Sequence, residues 1–483
     1  MSSLPFLFGF LAVGLLLYYA TPLRTVRYAV LFCLSMALCI WEAPPVFPVL
    51  IGTIVLTYFL GLGIAHYKKR SAKKAAVLFC LSLLLTLLPL LLCRLYTVPT
   101  LSEHLMRPAF TAFPAGIAFC TLRIISYTVD LYCDRTDVQK NIIRYSIYVS
   151  LFVYMSTGPI VLYHRFANSL ESREESLSLF AGGVRRFILG LSKKILLADT
   201  LFSFHTYFSD AEKFTSSVIG SWMSIVCFGL FVYFDLSGYA DMAIGLGSMF
   251  GFRLPQNLMY PLTAHSVTDL CRRFFTTLHT WLNVYIYDPF FAKKEGRRVW
   301  RICSVIAIGV LVTLWHGTAS TVLLAGAVLI LSILAERSLS HFRIPQIVSR
   351  IYTLVVLSIG LTFLSHADAA QAVQHLLMMI GVRSAVFCTP TICYQSLRVL
   401  PVILIAILCA TPLPKTLWIR LCGVDLTADH VDAAVEQKRT AIQKLFCCLS
   451  VVCLMLLLVL CIAHLTDSAP RLSFYQLLQG GAK

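Results

Sequence analysis

Long apolar runs dominate this chain, and short polar stretches separate them. A helix that crosses a bilayer needs about 20 mostly apolar residues. Ten runs meet or approach that pattern: 4–20, 28–42, 46–66, 75–93, 109–132, 143–163, 215–235, 345–365, 398–414 and 445–465. Three more, 184–208, 302–335 and 370–381, are interrupted by polar residues and are ambiguous. The pattern predicts about eleven spans and an all-α, polytopic integral membrane protein, with re-entrant or amphipathic helices besides. Nothing marks a soluble domain boundary, so residues 1–483 read as one domain. The halves show no repeat, which argues against a secondary transporter.

The middle of the chain departs from this regularity. From 158 to 317, Gly, Pro and charged residues repeatedly break the apolar runs. Irregular backbone at membrane depth persists only inside protein or beside a water-filled cavity. Function is therefore expected here.

Composition strengthens the membrane reading. Of 483 residues, 58 % are hydrophobic and 13 % charged, against about 25 % charged in soluble domains. The formal charge is +17, but the basic residues form short clusters between apolar runs, as in the positive-inside distribution. Membrane lipid, not nucleic acid, is the expected partner. Lys68, Lys69, Arg70, Lys73 and Lys74 follow three runs, which predicts a cytoplasmic loop and an external N-terminus. Arg24 and Arg27, after the first run, then also fall inside. That run has no basic residue before it, so it reads as a retained span rather than a cleaved signal. Two other basic loops are 293–301, with Lys293, Lys294, Arg297, Arg298 and Arg301, and 415–444. The second also carries Asp425, Asp429, Asp432 and Glu436 and reads as a short amphipathic stretch. Many of the 17 cysteines lie inside apolar runs, and none pairs with histidines at metal-ligand spacing, so no metal site is expected.

Three constellations carry candidate chemistry. Trp315-His316-Gly317 interrupts 302–335. The flank 302–314 is too short to cross alone, and Gly317, Thr318 and Ser320 suggest a break or hairpin. An ionisable group at membrane depth is a functional candidate; a structural histidine bonded to a neighbouring helix is the alternative. The second constellation is Phe234 to Asp241, where Asp235 and Asp241 follow an apolar run. Ser237 and Asp241 share a helix face at i, i+4, and Gly245, Gly247 and Gly251 allow close packing. It reads as a polar wall of a substrate tunnel or as a hydrogen-bonded helix end. In the third, 265–289, Asp269, Arg272, Arg273, His279, Trp281, Asn283 and Tyr285 accompany an apolar face of Phe274, Phe275, Leu278 and Leu282. This is an amphipathic or re-entrant helix, or an interfacial one with snorkelling arginines.

The chain resembles the membrane-bound O-acyltransferase family through four blocks in order. The first is Pro114 to Phe119 with Ile125-Ser126-Tyr127 and Asp130. The second is Gly158-Pro159-Ile160 and Tyr163, then Gly182, Arg186-Phe187, Gly190-Leu191, Lys193-Lys194 and Ala198-Asp199. The third runs from Tyr233 through Asn257 to Pro261 and on to Arg272-Arg273. The fourth is Leu314 to Gly317. The motif-bearing core is 114–336. The resemblance implies helices around a central funnel. It also implies transfer of an acyl group, acetyl in the first instance, from a cytoplasmic thioester to a hydroxyl of an envelope polymer outside a bacterial cytoplasmic membrane. By that resemblance His316 falls on the catalytic histidine. Asp235, Asp241, Asn257, Arg272, Arg273, Trp281 and Trp315 would line or brace the passage. The family pattern Arg-Arg-Trp-His reads Arg272-Arg273-Phe274-Phe275 here, so Phe275 stands where a second histidine is expected. Asn283 replaces an arginine, and Pro289-Phe290-Phe291-Ala292 replaces a Pro-Leu-Gly-Gly turn. His279, one helical turn after Phe275, is the candidate to replace the missing histidine.

The implied donor is an acyl-coenzyme A or acyl-carrier protein, used as co-substrate with no permanently bound cofactor. An extracytoplasmic acetyltransferase-like protein is an expected partner. D-alanyl transfer to teichoic acid, a non-catalytic scaffold of an acylation system, and an envelope-precursor transporter remain as alternatives.

Overall fold

The computed structural model describes residues 2–96, 115–209, 217–292, 297–423 and 440–467, with Asp425, Ser473, Phe474 and Leu477. Within those ranges 43, 45–46, 155–157, 172, 174, 340, 343 and 383–385 are excepted. Pro114 of the first block, Lys293, Lys294, and the acidic residues Asp429, Asp432 and Glu436 therefore lie outside the described residues.

Among the described residues the protein is helical, with a single isolated bridge between Ser217 and Val386. Nine described helices are long and apolar enough to cross a membrane, and two apolar helices are shorter. The chain divides into two compact units.

The first unit comprises Met1–Phe187, Ala243–Gln256 and Tyr475–Lys483. It contains α1 (Pro5–Ala20), α2 (Arg24–Glu42), α3 (Phe47–Lys68), α4 (Ala72–Tyr96), α5 (Ala115–Tyr132), α6 (Ile142–Tyr154) and α7 (Tyr163–Glu171), and the start of α8 (Leu177–Ser192). The expected span 143–163 is not one span. Asn141 caps α6 by accepting from the amides of Ile143 and Arg144. The α-helical part then ends at Ser150, because Leu151 leaves helical geometry at φ −53°, ψ 122°. The carbonyls released there need donors. Arg123 of α5, fully buried, donates to the Val149 carbonyl at 2.9 Å and to that of Tyr154, and stacks 4.1 Å over the Tyr154 ring. An arginine inside an apolar run is thus the cap of a broken neighbour.

The second unit comprises Ile188–Met242 and Asn257–Phe474. Here α8 passes through a π-helical segment, Lys193–Ala198, into α9 (Asp199–Ser209). The ambiguous run 184–208 is therefore continuously helical with one widened turn. The run 215–235 is longer than expected. It is α10 (Val218–Met249), 32 residues, which carries Asp235 and Asp241 well inside it. After α10 come α11 (Val267–Phe274), α12 (Thr276–Leu282), α13 (Arg298–His316), α14 (Ser320–Ser338), α15 (Gln346–Ser365), α16 (Ala369–Met379), α17 (Pro390–Cys409), α18 (Leu413–Cys422) and α19 (Ala441–Asp467). Run 370–381 is α16, whose 11 residues are too few to cross. Run 398–414 starts earlier, at Pro390, because Thr389 caps the amide of Ile392.

The largest correction concerns 302–335. The flank before His316 is not too short: α13 begins at Arg298, four residues before the apolar run, and reaches 19 residues. Terminal arginines can lie in a spanning helix because their charged heads reach the interface. A break at 317–319 then turns the chain into α14. Gly326 seats this pair: a Cβ there would meet the Thr313 hydroxyl oxygen at 2.1 Å.

Helix α10 packs by glycines. Within the first unit, an added Cβ on Gly183 would lie 2.6 Å from the Gly245 carbonyl oxygen. Within the second, one on Gly190 would lie 2.6 Å from that of Gly238. Only residues without side chains allow backbones this close.

Candidate active site

The site is built from the end of α13, the α11–α12 junction and the loop before it. His316 is the last residue of α13 and is half-buried. Its Nδ1 lies 2.8 Å from the Val312 carbonyl oxygen. A carbonyl only accepts, so Nδ1 is the donor, and in a neutral imidazole Nε2 then holds the lone pair. The Trp315 ring meets the imidazole edge-on at 4.9 Å. The Phe275 ring lies 6.1 Å from it. The position where a second histidine was expected is therefore next to His316, and a phenyl ring occupies it.

Residues 265–289 do not form one helix. α11 stops at Phe274, Phe275 turns out of helical geometry at φ −141°, ψ 73°, and α12 begins at Thr276. Capping explains the start of α11. Ser266 accepts from the Asp269 amide, and the Glu336 carboxylate of α14 accepts from the amides of Val267 and Thr268. Arg273 donates from Nε to both Asp269 oxygens at 2.9 Å. Burial pushes the Asp269 carboxyl up, but the Arg273 hydrogen bond, that of the His265 amide and the charges of Arg273 and Arg272 outweigh it and hold it below the usual range. Arg273 thus fixes α11, whereas Arg272 is exposed.

Asn257 clips the preceding loop to the junction. Its carbonyl accepts from the Thr276 amide at 2.9 Å, and its side-chain oxygen accepts from the Thr277 hydroxyl at 2.6 Å. The Met259 amide donates to the Arg273 carbonyl at 2.9 Å. These bonds hold the break at Phe275 open. His279 keeps one turn with Phe275, donating its amide to the Phe275 carbonyl at 2.9 Å. Its Nδ1 accepts from the Asn283 side chain at 3.1 Å. Burial lowers the His279 pKa, and the Arg272 charge lowers it further. Removing that charge in Arg272→Gln should raise the His279 pKa, because the imidazolium no longer faces a cation. An NMR pH titration of labelled histidine would read this, and an unchanged or lower value would contradict it. Trp281 is buried and packs against Tyr285, with ring centres 5.2 Å apart and the planes tilted.

The α10 carboxylates sit in two different environments. Asp235 is fully buried. The buried Lys194 Nζ lies 2.8 Å from Asp235 and 2.9 Å from Asp199, and the Phe474 amide donates to Asp235 at 2.9 Å. Asp235 is thus held between a cation and a backbone amide inside the unit. Asp241 is partly exposed and pairs with Lys193 at 2.6 Å, while Lys193 also donates to Ser237 at 2.9 Å. Ser237 and Asp241 do share one helix face.

Tyr260 lies close to the Lys193–Asp241 pair. Tyr260 adopts a left-handed backbone at φ 49°, unusual for a bulky residue. Burial raises its hydroxyl pKa, which the Lys193 charge opposes. The paired lysines were a sequence signal for Lys193; nothing local marked Tyr260.

Comparison with known proteins agrees with these blocks. Residues 56–359, more than half of the chain, match the model of the membrane-bound O-acyltransferase family. The chain is 30 % identical over 335 residues to the Pseudomonas syringae pv. tomato protein named "Probable alginate O-acetylase", covering 68 % of this chain and 64 % of that protein. It thus spans just under two thirds of that relative. It is 26 % identical over 429 residues to the peptidoglycan O-acetyltransferase of Helicobacter pylori, covering 79 % and 80 % of the two chains. It is 22 % identical over 268 residues to the teichoic acid D-alanyltransferase of Bacillus subtilis, covering 53 % and 67 %. With its apolar helices, its four ordered blocks and this match, the chain belongs to the membrane-bound O-acyltransferase family.

Proposed function

We propose that this protein is an O-acyltransferase of the bacterial cytoplasmic membrane. It moves an acyl group, acetyl in the first instance, from a cytoplasmic thioester to a hydroxyl of an extracytoplasmic envelope polymer. The observation that carries this reading is the His316 tautomer: with Nδ1–H held by the Val312 carbonyl, Nε2 is the basic atom. Nε2 takes the proton of the acceptor hydroxyl, whose oxygen attacks the thioester carbonyl carbon. The tetrahedral adduct collapses, the carbon–sulfur bond breaks, and the imidazolium returns its proton to the departing sulfur. Phe275 and Trp315 flank the ring and exclude the water that would hydrolyse the thioester. The names of the alginate and peptidoglycan relatives support acetyl transfer. Coenzyme A or a carrier protein supplies the thioester, and an acetyltransferase-like protein outside the membrane is a partner. The test is radiolabelled acyl transfer in membranes containing the protein. Absence of transfer with either donor would refute the reading.

Phe275 favours a second reading, a scaffold that has lost its chemistry, and the same radiolabelled assay on the parent protein separates the two, since a scaffold transfers nothing. If His279 supplies the missing imidazole, His279→Ala should be inactive and Phe275→His in that background should restore turnover. His279→Ala with wild-type turnover ends the relocation idea.

The proposed topology places the N-terminus outside and the 68–74 loop in the cytoplasm. In Ser71→Cys, an impermeant thiol reagent applied to intact cells should not raise labelling above the parent protein's. Added labelling from outside would reverse the topology.

A further inference from the structure

The first unit carries a polar cavity that the reading above leaves unused. It measures about 250 Å³, and its lining includes Arg24, Arg27, Tyr28, Glu171, Arg173 and Glu175. The turn between α1 and α2 brings Arg24 and Arg27 to the first coil of α2; Glu171 ends α7, and Arg173 and Glu175 follow it. Both carboxylates are already engaged. Glu175 pairs with Arg27 and accepts from the Tyr18 hydroxyl at 2.6 Å. Glu171 pairs with Arg144 at 3.5 Å. Among the described residues, no carboxylate pairs with Arg24 or Arg173.

Arg173 is the decisive group. It is only 9 % exposed, and its Nε and Nη1 have no hydrogen-bond partner. Three rings surround the guanidinium, Tyr28 at 5.0 Å, Phe252 at 5.1 Å and Tyr18 at 5.6 Å. Aromatic faces attract the cation but do not accept its in-plane N–H groups. A guanidinium stays protonated, and leaving its donors buried and unmatched is costly. The missing partner is therefore an anion with several acceptor oxygens, matched to the planar fork. A second arginine, Arg24, lies exposed at the mouth. Two uncompensated guanidinium groups suit a phosphate. The cavity lies at the turn from apolar α1 into α2, whose first coil carries Arg24 and Arg27, and the basic end of an apolar helix is the level at which phospholipid phosphates lie.

We propose that this cavity is a phosphate-binding site in which Arg173 is the fixed, pre-oriented donor and Arg24 closes on the ligand from the mouth. The phosphate belongs either to an anionic phospholipid headgroup or to a soluble phosphate compound. The purified full chain in detergent would be mixed with phosphatidylglycerol, with phosphatidylcholine or with inorganic phosphate. Native mass spectrometry would count retained lipid, and equilibrium dialysis of labelled phosphate would measure the free anion. One phosphatidylglycerol retained per chain, in preference to phosphatidylcholine, supports the site with lipid as the source. Saturable phosphate binding without lipid retention supports it with a soluble source. In either case Arg24→Gln should weaken binding about tenfold or more, and Arg173→Lys should do the same because it loses the fork. Arg24 is on the surface, so its variant tests the site even where Arg173 variants fold poorly. Binding of neither probe, or binding unaltered in Arg24→Gln and Arg173→Lys alike, would overturn the proposal.

Discussion

Replacing His316 with alanine should lower acyl transfer by about 10²–10⁴-fold, the ordinary loss on removing a general base. The protein should still insert and fold. His316 sits half-buried at the end of α13, and its Nδ1 bonds the carbonyl one turn back in its own helix. Removing the ring therefore leaves the α13–α14 seam at Gly326 and Thr313 untouched. Size-exclusion behaviour and thermal unfolding in detergent should match the parent protein, while the labelled product disappears. A well-folded variant that keeps near-full turnover would remove His316 from the mechanism. Phe275, whose ring approaches the imidazole, offers an internal control. Phe275→Ala opens the pocket without removing the base, so it should raise thioester hydrolysis relative to transfer.

The largest effect on stability is expected at Lys194. This ammonium lies fully buried between Asp235 and Asp199. Lys194→Met would leave two buried carboxylates facing each other without a cation. Breaking a buried pair in this way costs about 3–5 kcal/mol. The fall should be read as a large drop in the thermal midpoint in detergent. Asp235→Asn and Asp199→Asn added to Lys194→Met should recover part of it, because the orphaned charges are then gone. A single Lys194→Met with unchanged stability would show that the triad contributes little. The adjacent lysine makes a useful contrast. Lys193 pairs with a partly exposed Asp241, so Lys193→Met should unfold far less readily, since a solvated pair contributes little.

Much of this was legible in the chain. Apolar run length alone reported a polytopic helical protein, because the bilayer imposes one requirement on every span. The irregular stretch 158–317 was legible as a departure from simple spans, and His316 stood out in it as an ionisable group bounded by apolar flanks. Boundaries were less legible where charge and helix coincide. Hydropathy stopped at 302 because Arg298 and Arg301 look like loop, yet α13 starts at Arg298. In the other direction, 143–163 looked continuous, but the chain leaves the helix at Leu151 and Arg123, from another helix, takes up the released carbonyls.

What the residues determined by themselves was the class of fold and the family blocks, since these depend on local composition and spacing. What only the tertiary structure decided was pairing. Lys193 and Lys194 are neighbours in sequence, yet one meets Asp241 and the other Asp235 and Asp199, because successive residues of a helix point to different faces. Phe275 lies beside His316 although 41 positions separate them, a proximity set by how α11 and α12 break against α13. The Arg173 cavity likewise joins side chains from the start of α2 and the end of α7. Spacing along a chain records which face of a helix a residue occupies; it does not record which other helix that face meets.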